Sequence, residues 1–324
     1  MRSVAALALV LTLAAGAAAA AQVAPEVLAT APDRPVLIEG VARAPDGGLI
    51  VSSVHTGRLY RLTDGVLTPF GPDGRQALFG IAADPARNLL WAAEAPTPYD
   101  EQADGPTALL KLDLGSGALL AEYRPADDGA THMFGDVAVG ADGTAYVADG
   151  TARRILALRP GGERLETLLQ APERASLQGM AQTADGRWLI YSDYRSGLHR
   201  LDLSAGPSAP TAEEFRPLTM AEGVELRGLD GLARHGEAIL AIQNGTRTQR
   251  VLRLTLSPDA SAVTAREALV EGPPLAEPTT GFVEGDALVF VSRSQWPEFD
   301  AEGHPKSPAP AGAQISRLAL TPAR

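Results

Sequence analysis

The 324-residue chain contains no cysteine, so it has no disulfide framework and no cysteine that could carry a lipid. It also lacks the G-x-S-x-G sequence of a serine esterase, a glycine-rich phosphate-binding loop and the ligand spacing of a zinc site. Long stretches with the 3.6-residue period of a helix are missing as well. Together these absences argue against a serine esterase, a nucleotide-binding enzyme and a helical fold.

Excess positive charge is also missing, because the formal net charge is −11 and becomes −12 once Arg2 is removed with a leader. An acidic surface disfavours nucleic acid and anionic membranes as partners and is also a common means of keeping an exported protein soluble. We therefore expect no nucleic-acid partner, and we expect a monomer that acts on a small molecule.

The first 21 residues have the pattern of a secretory signal peptide. Arg2 gives a positive start, "VAALALVLTLAAGAAAA" is apolar, and small residues up to Ala21 offer an A-x-A cleavage site before Gln22. We expect residues 1–21 to be cleaved and the mature chain to be periplasmic or secreted. No later segment is apolar for long enough to cross a bilayer, so membrane insertion of the mature chain is not expected.

Six related units follow one another, with openings 40 to 56 residues apart. Each opens on a variable residue, usually followed by glycine, and continues with an apolar strand, a turn and a second strand. The openings are "EGVARAPDGGLIVSS" from Glu39, "FGIAADPARNLLWAAE" from Phe79, "GDVAVGADGTAYVAD" from Gly135, "QGMAQTADGRWLIYSD" from Gln178, "DGLARHGEAILAIQ" from Asp230 and "TGFVEGDALVFVSR" from Thr280. Turn residues about every ten positions indicate an all-β protein of short strands.

A third strand follows every opening, and a fourth follows in all units but the last. The predicted fourth strands are "VLTPF", "ALLAEYRP", "ERLETLLQ", "TAEEFRPLT" and "TAREALVEG". The N-terminal "APEVLATAPDRPVLIEG" reads like "ERLETLLQAPERASLQG" before the fourth unit, so it can supply the missing strand. The sequence therefore predicts one domain over residues 22–324, a six-bladed β-propeller with four strands per blade whose N-terminal strand closes the last blade.

The strand-one starts and the loops between strands two and three should share one face of such a disc. Two long insertions fall in these loops, at residues 96–107 and 295–313. Long loops on a rigid scaffold commonly carry function, although they can also be plain surface insertions. Candidate substrate-face residues in these loops are Tyr99, Tyr194, Arg195, Asn244, Arg247 and Trp296.

Three strand-one starts carry side-chain oxygens: Glu39, Gln178 and Asp230. A carboxylate in a narrow channel is costly unless it is paired, hydrogen-bonded or bound to a cation. Two carboxylates and an amide oxygen suit calcium, and also magnesium or manganese, better than zinc. The other interpretation is a water-filled polar plug held by hydrogen bonds.

The phrases "EGVARAPDGGLIVSSVHTGRLYRL", "FGDVAVGADGTAYVADG", "QGMAQTADGRWLIYSD" and "LDGLARHG" resemble the gluconolactonase and senescence-marker-protein (regucalcin) family of six-bladed propeller lactonases. The resemblance covers nearly the whole mature chain. It implies one divalent cation, commonly calcium, with Glu39 and Asp230 as ligands and Gln178 where the family has an asparagine. The family's other asparagine falls on Gly135, which has no side chain.

By this resemblance Asp230 is also the general base of lactone hydrolysis, and His55 or His132 are candidates to assist from the rim. We expect an exported, divalent-metal-dependent hydrolase of lactones or related esters. Two alternatives remain open. One is a non-catalytic periplasmic propeller that binds a ligand or protein on its long-loop face. The other is a quinoprotein-like oxidoreductase, for which only His55, Arg195 and Arg247 are available.

Overall fold

A computed structural model describes residues 24–101, 105–220 and 224–320 of the chain. The predicted signal peptide lies outside these residues and stays a prediction. Within the described ranges, no helix combines the length and the apolarity that a membrane span requires.

Short antiparallel strands account for most of the regular structure, as the spacing of turn residues predicts. After β1 (Glu26–Thr30), the first two blades contain β2 (Ile38–Arg43), β3 (Leu49–Ser53), β4 (Arg58–Thr63), β5 (Val66–Phe70), β6 (Leu78–Asp84), β7 (Leu89–Glu94), β8 (Ala108–Asp113) and β9 (Leu119–Tyr123). The next two contain β10 (Phe134–Val139), β11 (Ala145–Asp149), β12 (Arg154–Leu158), β13 (Glu166–Gln170), β14 (Leu177–Gln182), β15 (Trp188–Asp193) and β16 (Gly197–Asp202). The last two contain β17 (Thr219–Met220), β18 (Leu229–His235), β19 (Ala238–Gln243), β20 (Arg250–Leu256), β21 (Ala262–Glu271), β22 (Gly281–Glu284), β23 (Ala287–Arg293) and β24 (Gln314–Ala319).

The six sheets form a ring, which confirms the six-bladed propeller. The last sheet has the order β1-β24-β23-β22, so the N-terminal strand closes it as the sequence predicts. This pairing brings both ends of the chain into one sheet and closes the ring between the last blade and the first.

The core lies between neighbouring blades. One cluster joins Val41 and Tyr60 of blade one to Val289 and Ile315 of blade six, all of them buried. Another joins Ile50 of blade one to apolar residues of blade two. Each fully buried aliphatic side chain contributes about 1.5–3 kcal/mol, so the blade interfaces hold the ring rigid around its channel.

Blade four differs from the prediction, because among the described residues its sheet consists of the three strands β14, β15 and β16. The predicted fourth strand "TAEEFRPLT" is wrong: it begins as a turn in which Thr211 and Glu214 hydrogen-bond each other, and its end pairs with blade five as β17. Proline cannot donate to a ladder, and the segment contains Pro217. Phe215 instead stacks on His199, with ring centroids 4.2 Å apart, and covers the outer edge.

Candidate functional site

A β-bulge presents the variable residue in five of the six openings. In β2, β6, β10, β14 and β18 the pairing register shifts across that residue and its successor. A bulge adds one residue to a strand and re-aims its side chain. The variable positions of the first five blades are therefore presented by the same local device.

The glycine after the variable residue permits the blades to approach each other. A Cβ on Gly179 would lie 2.3 Å from the carbonyl oxygen of Asp230, and one on Gly231 would lie 2.7 Å from that of Thr279. Only glycine fits such contacts, so this recurrent residue is a packing requirement of the channel.

Glu39 is buried at this end of the channel and is 8 % exposed. Its Oε2 accepts a hydrogen bond of 2.7 Å from Nε1 of Trp296. Its backbone carbonyl accepts bonds from the hydroxyls of Thr279 and Thr280, at 2.8 and 2.9 Å. Blade six therefore fixes both the backbone and the carboxylate of Glu39.

Asp230 is held by an amide of its own blade. Its Oδ2 accepts a hydrogen bond of 2.7 Å from Nδ2 of Asn244, the residue that follows β19. Asn244 in turn accepts a bond of 2.8 Å from the hydroxyl of Tyr194, in the loop between β15 and β16. Of the predicted substrate-face residues, Tyr194 and Asn244 thus form a chain that ends on Asp230.

Gln178 and Gly135 occupy the equivalent places in β14 and β10. The Gln178 side chain is partly exposed and makes no hydrogen bond with any residue that the structure describes. At Gly135 a Cβ would meet no atom within 4 Å, so the space an asparagine would fill is open.

Two acidic residues outside the predicted ligand set act on the site electrostatically. Asp136 stands where the other five units have glycine, and Glu277 lies ahead of β22 with φ +54°. Both raise the pKa values of Glu39 and Asp230 through their charge. The inversion of the usual X-Gly pair to Gly135-Asp136 is the sequence signal that could have identified Asp136.

The carboxyl groups of this cluster are more basic than usual. Burial is the main cause, and neighbouring carboxylates add to it: the pKa of Glu39 is raised well above its ordinary value, and that of Asp230 is raised to about 7. Burial likewise raises the pKa of Asp136 to about 6. Neither Glu39 nor Asp230 forms an ion pair with a described arginine, lysine or histidine, so no described cationic side chain compensates the charge that these acids carry when ionised.

The two long loops meet over Glu39. The Tyr99 and Trp296 rings contact edge to face with centroids 5.0 Å apart, and Phe299 lies 6.3 Å from Tyr99. Gly303 approaches Pro98 so closely that a Cβ would lie 2.0 Å from its carbonyl oxygen. The insertions of blades two and six therefore pack on each other, on the same face as Glu39.

The two candidate histidines are held by other groups. Nδ1 of His55 lies 2.7 Å from the carbonyl oxygen of Tyr99, and its ring packs on Phe299. His132 lies between the carboxylates of Asp149 and Asp128, one at each ring nitrogen. These contacts tie loops to blades one and three, and an assisting catalytic role for either histidine stays a prediction.

Arg195 and Arg247 are exposed on the loops after β15 and β19. Their side chains form no ion pair with a residue in the described ranges. They remain candidates for contact with an anionic part of a substrate.

The channel widens toward the opposite, tight-turn face into a cavity of about 740 Å³. Asp136 and Thr280 are among its lining residues, and the Arg43–Glu284 ion pair is also part of its lining. This cavity therefore lies on the far side of the channel from the aromatic loops.

Replacing Trp296 by phenylalanine should destabilise the protein by about 2 kcal/mol at pH 8, because a hydrogen bond to a buried carboxylate is lost. The loss should be smaller at pH 5, because the hydrogen bond from Trp296 favours the ionised form of Glu39 and so lowers the pKa of this carboxyl. Urea unfolding at both pH values measures this. Trp91→Phe is the matched control, because the buried indole nitrogen of Trp91 has no hydrogen-bond partner among the described residues, so the cost of this change should not depend on pH. A cost of Trp296→Phe that does not change with pH would contradict this role.

No protein-family model and no curated protein sequence matches the chain. Solved structures do match. The PQQ-bound aldose sugar dehydrogenase of Streptomyces coelicolor is 19 % identical, with a TM-score of 0.60, over 92 % of this chain and 99 % of that one. A gluconolactonase of Xanthomonas campestris is 16 % identical, with a TM-score of 0.59, over 90 % and 89 %.

The calcium-binding protein regucalcin of Agrobacterium tumefaciens is 15 % identical, with a TM-score of 0.56, over 91 % of this chain and 97 % of that one. At sequence identities this low, the structural matches establish a shared fold and nothing more specific. The chain is thus a six-bladed propeller similar in fold to gluconolactonases, to regucalcin and to sugar dehydrogenases.

Proposed function

We propose that the protein is an exported hydrolase of lactones or related esters that works with a bound divalent cation. The observation that carries the proposal is the pair of carboxylates Glu39 and Asp230, enclosed at one end of the channel without a cationic side chain to pair with in the described ranges. Burial of uncompensated charge is costly, and a bound cation would remove that cost. Tyr99 and Trp296, the contacting aromatic residues of the two long loops, lie on the same face as these carboxylates.

The donors present fit such a cation. Among the described residues no three Asp, Glu, His or Cys side chains converge as a complete metal site. Glu39 and Asp230 would therefore be joined by the amide oxygen of Gln178 and by water, a set of oxygen donors that suits calcium, then magnesium or manganese, better than zinc. A cation held there would polarise the substrate carbonyl.

Asp230 would act as the general base. Its Oδ1 makes no hydrogen bond with a residue that the structure describes, so it is available to accept a proton. It takes a proton from the water whose oxygen bonds to the lactone carbonyl carbon, and it returns that proton to the ring oxygen when the carbon–oxygen bond breaks. The product is the open hydroxy acid. Tyr99 and Trp296 would cover the face of a small ring.

The test is hydrolysis of a panel of lactones, beginning with glucono-δ-lactone and simple γ-lactones. Acid release is followed in chelator-treated protein with calcium, manganese or zinc added back, against the spontaneous rate. We expect cation-dependent turnover that Glu39→Gln removes. Rates equal to the spontaneous rate for every lactone and every cation would refute the proposal.

A second candidate is a non-catalytic ligand-binding propeller. It is favoured by Gly135 and Gln178, which stand where the lactonase family that the sequence resembles has asparagines. Saturable lactone binding without turnover would support it. The quinoprotein-like alternative has the sugar dehydrogenase fold in its favour, but it needs a histidine above the channel, and His55 is enclosed by Tyr99 and Phe299.

Restoring the asparagine should strengthen the site. Gly135→Asn places an amide oxygen in open space at the channel mouth, so we expect cation affinity to rise about tenfold, as ligand number is one of the properties that set such affinities. Calorimetric titration with calcium measures it. Gly206→Asn is the matched control, because a Cβ there also meets no atom within 4 Å. Equal affinity of Gly135→Asn and the unmodified protein would contradict the assignment.

A further inference from the structure

Asn244 occupies an enclosed position between blades four and five. It is 8 % exposed, and its amide makes three hydrogen bonds. Nδ2 donates to Asp230 Oδ2 at 2.7 Å and to the carbonyl oxygen of Pro278 at 2.9 Å, while Oδ1 accepts from the Tyr194 hydroxyl at 2.8 Å. Both amide hydrogens are therefore committed, one of them to Asp230.

The observed orientation of the Asn244 amide satisfies all three of its hydrogen-bond partners, whereas the flipped orientation does not. If the amide were flipped, its oxygen would face two acceptors, Asp230 and the Pro278 carbonyl, and both contacts would be repulsive. Tyr194 supports the observed orientation because its hydroxyl donates to Oδ1. Burial, followed by the charges of Asp230 and Glu277, raises the pKa of Tyr194 to about 12, so it keeps its proton.

Two glycines make the contact between the blades possible. A Cβ on Gly245 would lie 2.6 Å from the Tyr194 ring and 2.6 Å from Gly228. Gly228 has φ +68°, and its carbonyl oxygen accepts the backbone N–H groups of Asn244 and Gly245. The N–H of Gly228 donates to the carbonyl oxygen of Tyr194 at 2.7 Å. The backbone itself thus fixes the distance between Tyr194 and Asn244.

The carboxylate of Asp230 is held by one oxygen only. Oδ2 is bound to Asn244, whereas Oδ1 has no hydrogen-bond partner among the residues that the structure describes. Such a one-sided restraint fixes the carboxylate plane and leaves an oxygen for a ligand or a water.

We propose that Tyr194 and Asn244 are positioning residues that form a relay across two blades and hold Asp230 in the geometry needed to bind a cation and to accept a proton. This inference rests on the proposed function. It assigns to Tyr194 and Asn244 a role through Asp230 instead of direct contact with substrate.

Asn244→Leu, which keeps a similar volume, should weaken calcium and manganese binding about 10- to 100-fold, the usual effect of removing a group that orients a metal ligand. Tyr194→Phe should weaken it about three- to tenfold, because only one supporting hydrogen bond is lost. In both variants kcat should fall while KM for lactone changes little. Tyr146→Phe, which removes a hydroxyl from blade three, is the control. Its cation affinity and its kcat should equal those of the unmodified protein. Urea unfolding checks that every variant is folded.

Crystal structures of chelator-treated protein and of Asn244→Leu provide a measurement that does not depend on activity. We expect the Asp230 carboxylate to occupy one conformation in the first and to rotate or divide between conformations in the second. If Asp230 keeps its conformation in Asn244→Leu, and cation affinity where measurable is unchanged, the relay is refuted. If the unmodified protein binds neither cation and hydrolyses no lactone, the proposed function fails, and the crystal structures alone decide whether the relay exists.

Discussion

Replacing Asp230 by asparagine should reduce lactone hydrolysis by about 10²- to 10⁴-fold, the range expected when a general base is removed. The same change should make the cation-free protein more stable at pH 8. Asparagine can still accept the hydrogen bond from Asn244, but it carries no charge into a site that already contains Glu39, Asp136 and Glu277. Activity and stability are thus expected to move in opposite directions.

The measurement pairs steady-state hydrolysis with thermal unfolding in the presence of a chelator. Asp127→Asn is the matched control, because Asp127 is exposed and forms no hydrogen bond or ion pair with the described residues. It should change neither property. An Asp230→Asn protein that is inactive and also less stable would indicate a structural role for this carboxylate.

The cation-free protein should lose stability as the pH rises from about 4 to about 7. The unfolded pKa of an aspartate is near 3.9, whereas the folded values are about 6 for Asp136 and about 7 for Asp230, with Glu39 also raised. In this window the folded state binds more protons than the unfolded state, so the free energy of unfolding falls with increasing pH. One pKa unit corresponds to about 1.4 kcal/mol of stability, so for a chain of this size the melting temperature should fall by on the order of 10 °C.

Calcium should reverse this loss, with a larger rise in melting temperature at pH 8 than at pH 5, because protons and the cation compete for the same carboxylates. Surface carboxylates do not obscure the effect. Hydrogen bonds from Ser257 and Ser261 lower the pKa of Asp259, and its contribution is lost only below pH 4. A melting temperature that stays constant or rises between pH 5 and pH 8 in chelator would contradict the account.

The repeat pattern was sufficient to predict the ring and its closure. The variable residue, its glycine and the two strands recur at nearly constant spacing, and the N-terminal strand matches the position of a missing fourth strand. The fourth strand of blade four could not be predicted from this pattern alone. The alternation of "TAEEFRPLT" suits a strand, but Pro217 and the turn at Thr211 prevent a ladder, and aromatic stacking of Phe215 covers the edge instead.

The sequence also places Glu39 and Asp230 at equivalent positions, but it does not show what holds them. The Trp296–Glu39 hydrogen bond joins residues 257 positions apart, and the Asn244–Asp230 bond depends on a bulge in β18 that has no composition signature of its own. Asp136 was predictable only as the exception to a rule, since it replaces the glycine of the other five units. Contacts between loops of different blades depend on tertiary packing, which periodicity does not encode.

The most direct test is a calorimetric titration of calcium, and then manganese, into the chelator-treated protein, beside Glu39→Gln and Asp230→Asn. Extracellular calcium modules bind with dissociation constants of about 0.1–1 mM, so the titration must reach several millimolar. We expect saturable binding of one cation to the unmodified protein and no saturable binding to either variant in this concentration range. Absence of binding, or binding that survives both substitutions, would contradict the claim that these two carboxylates hold a cation.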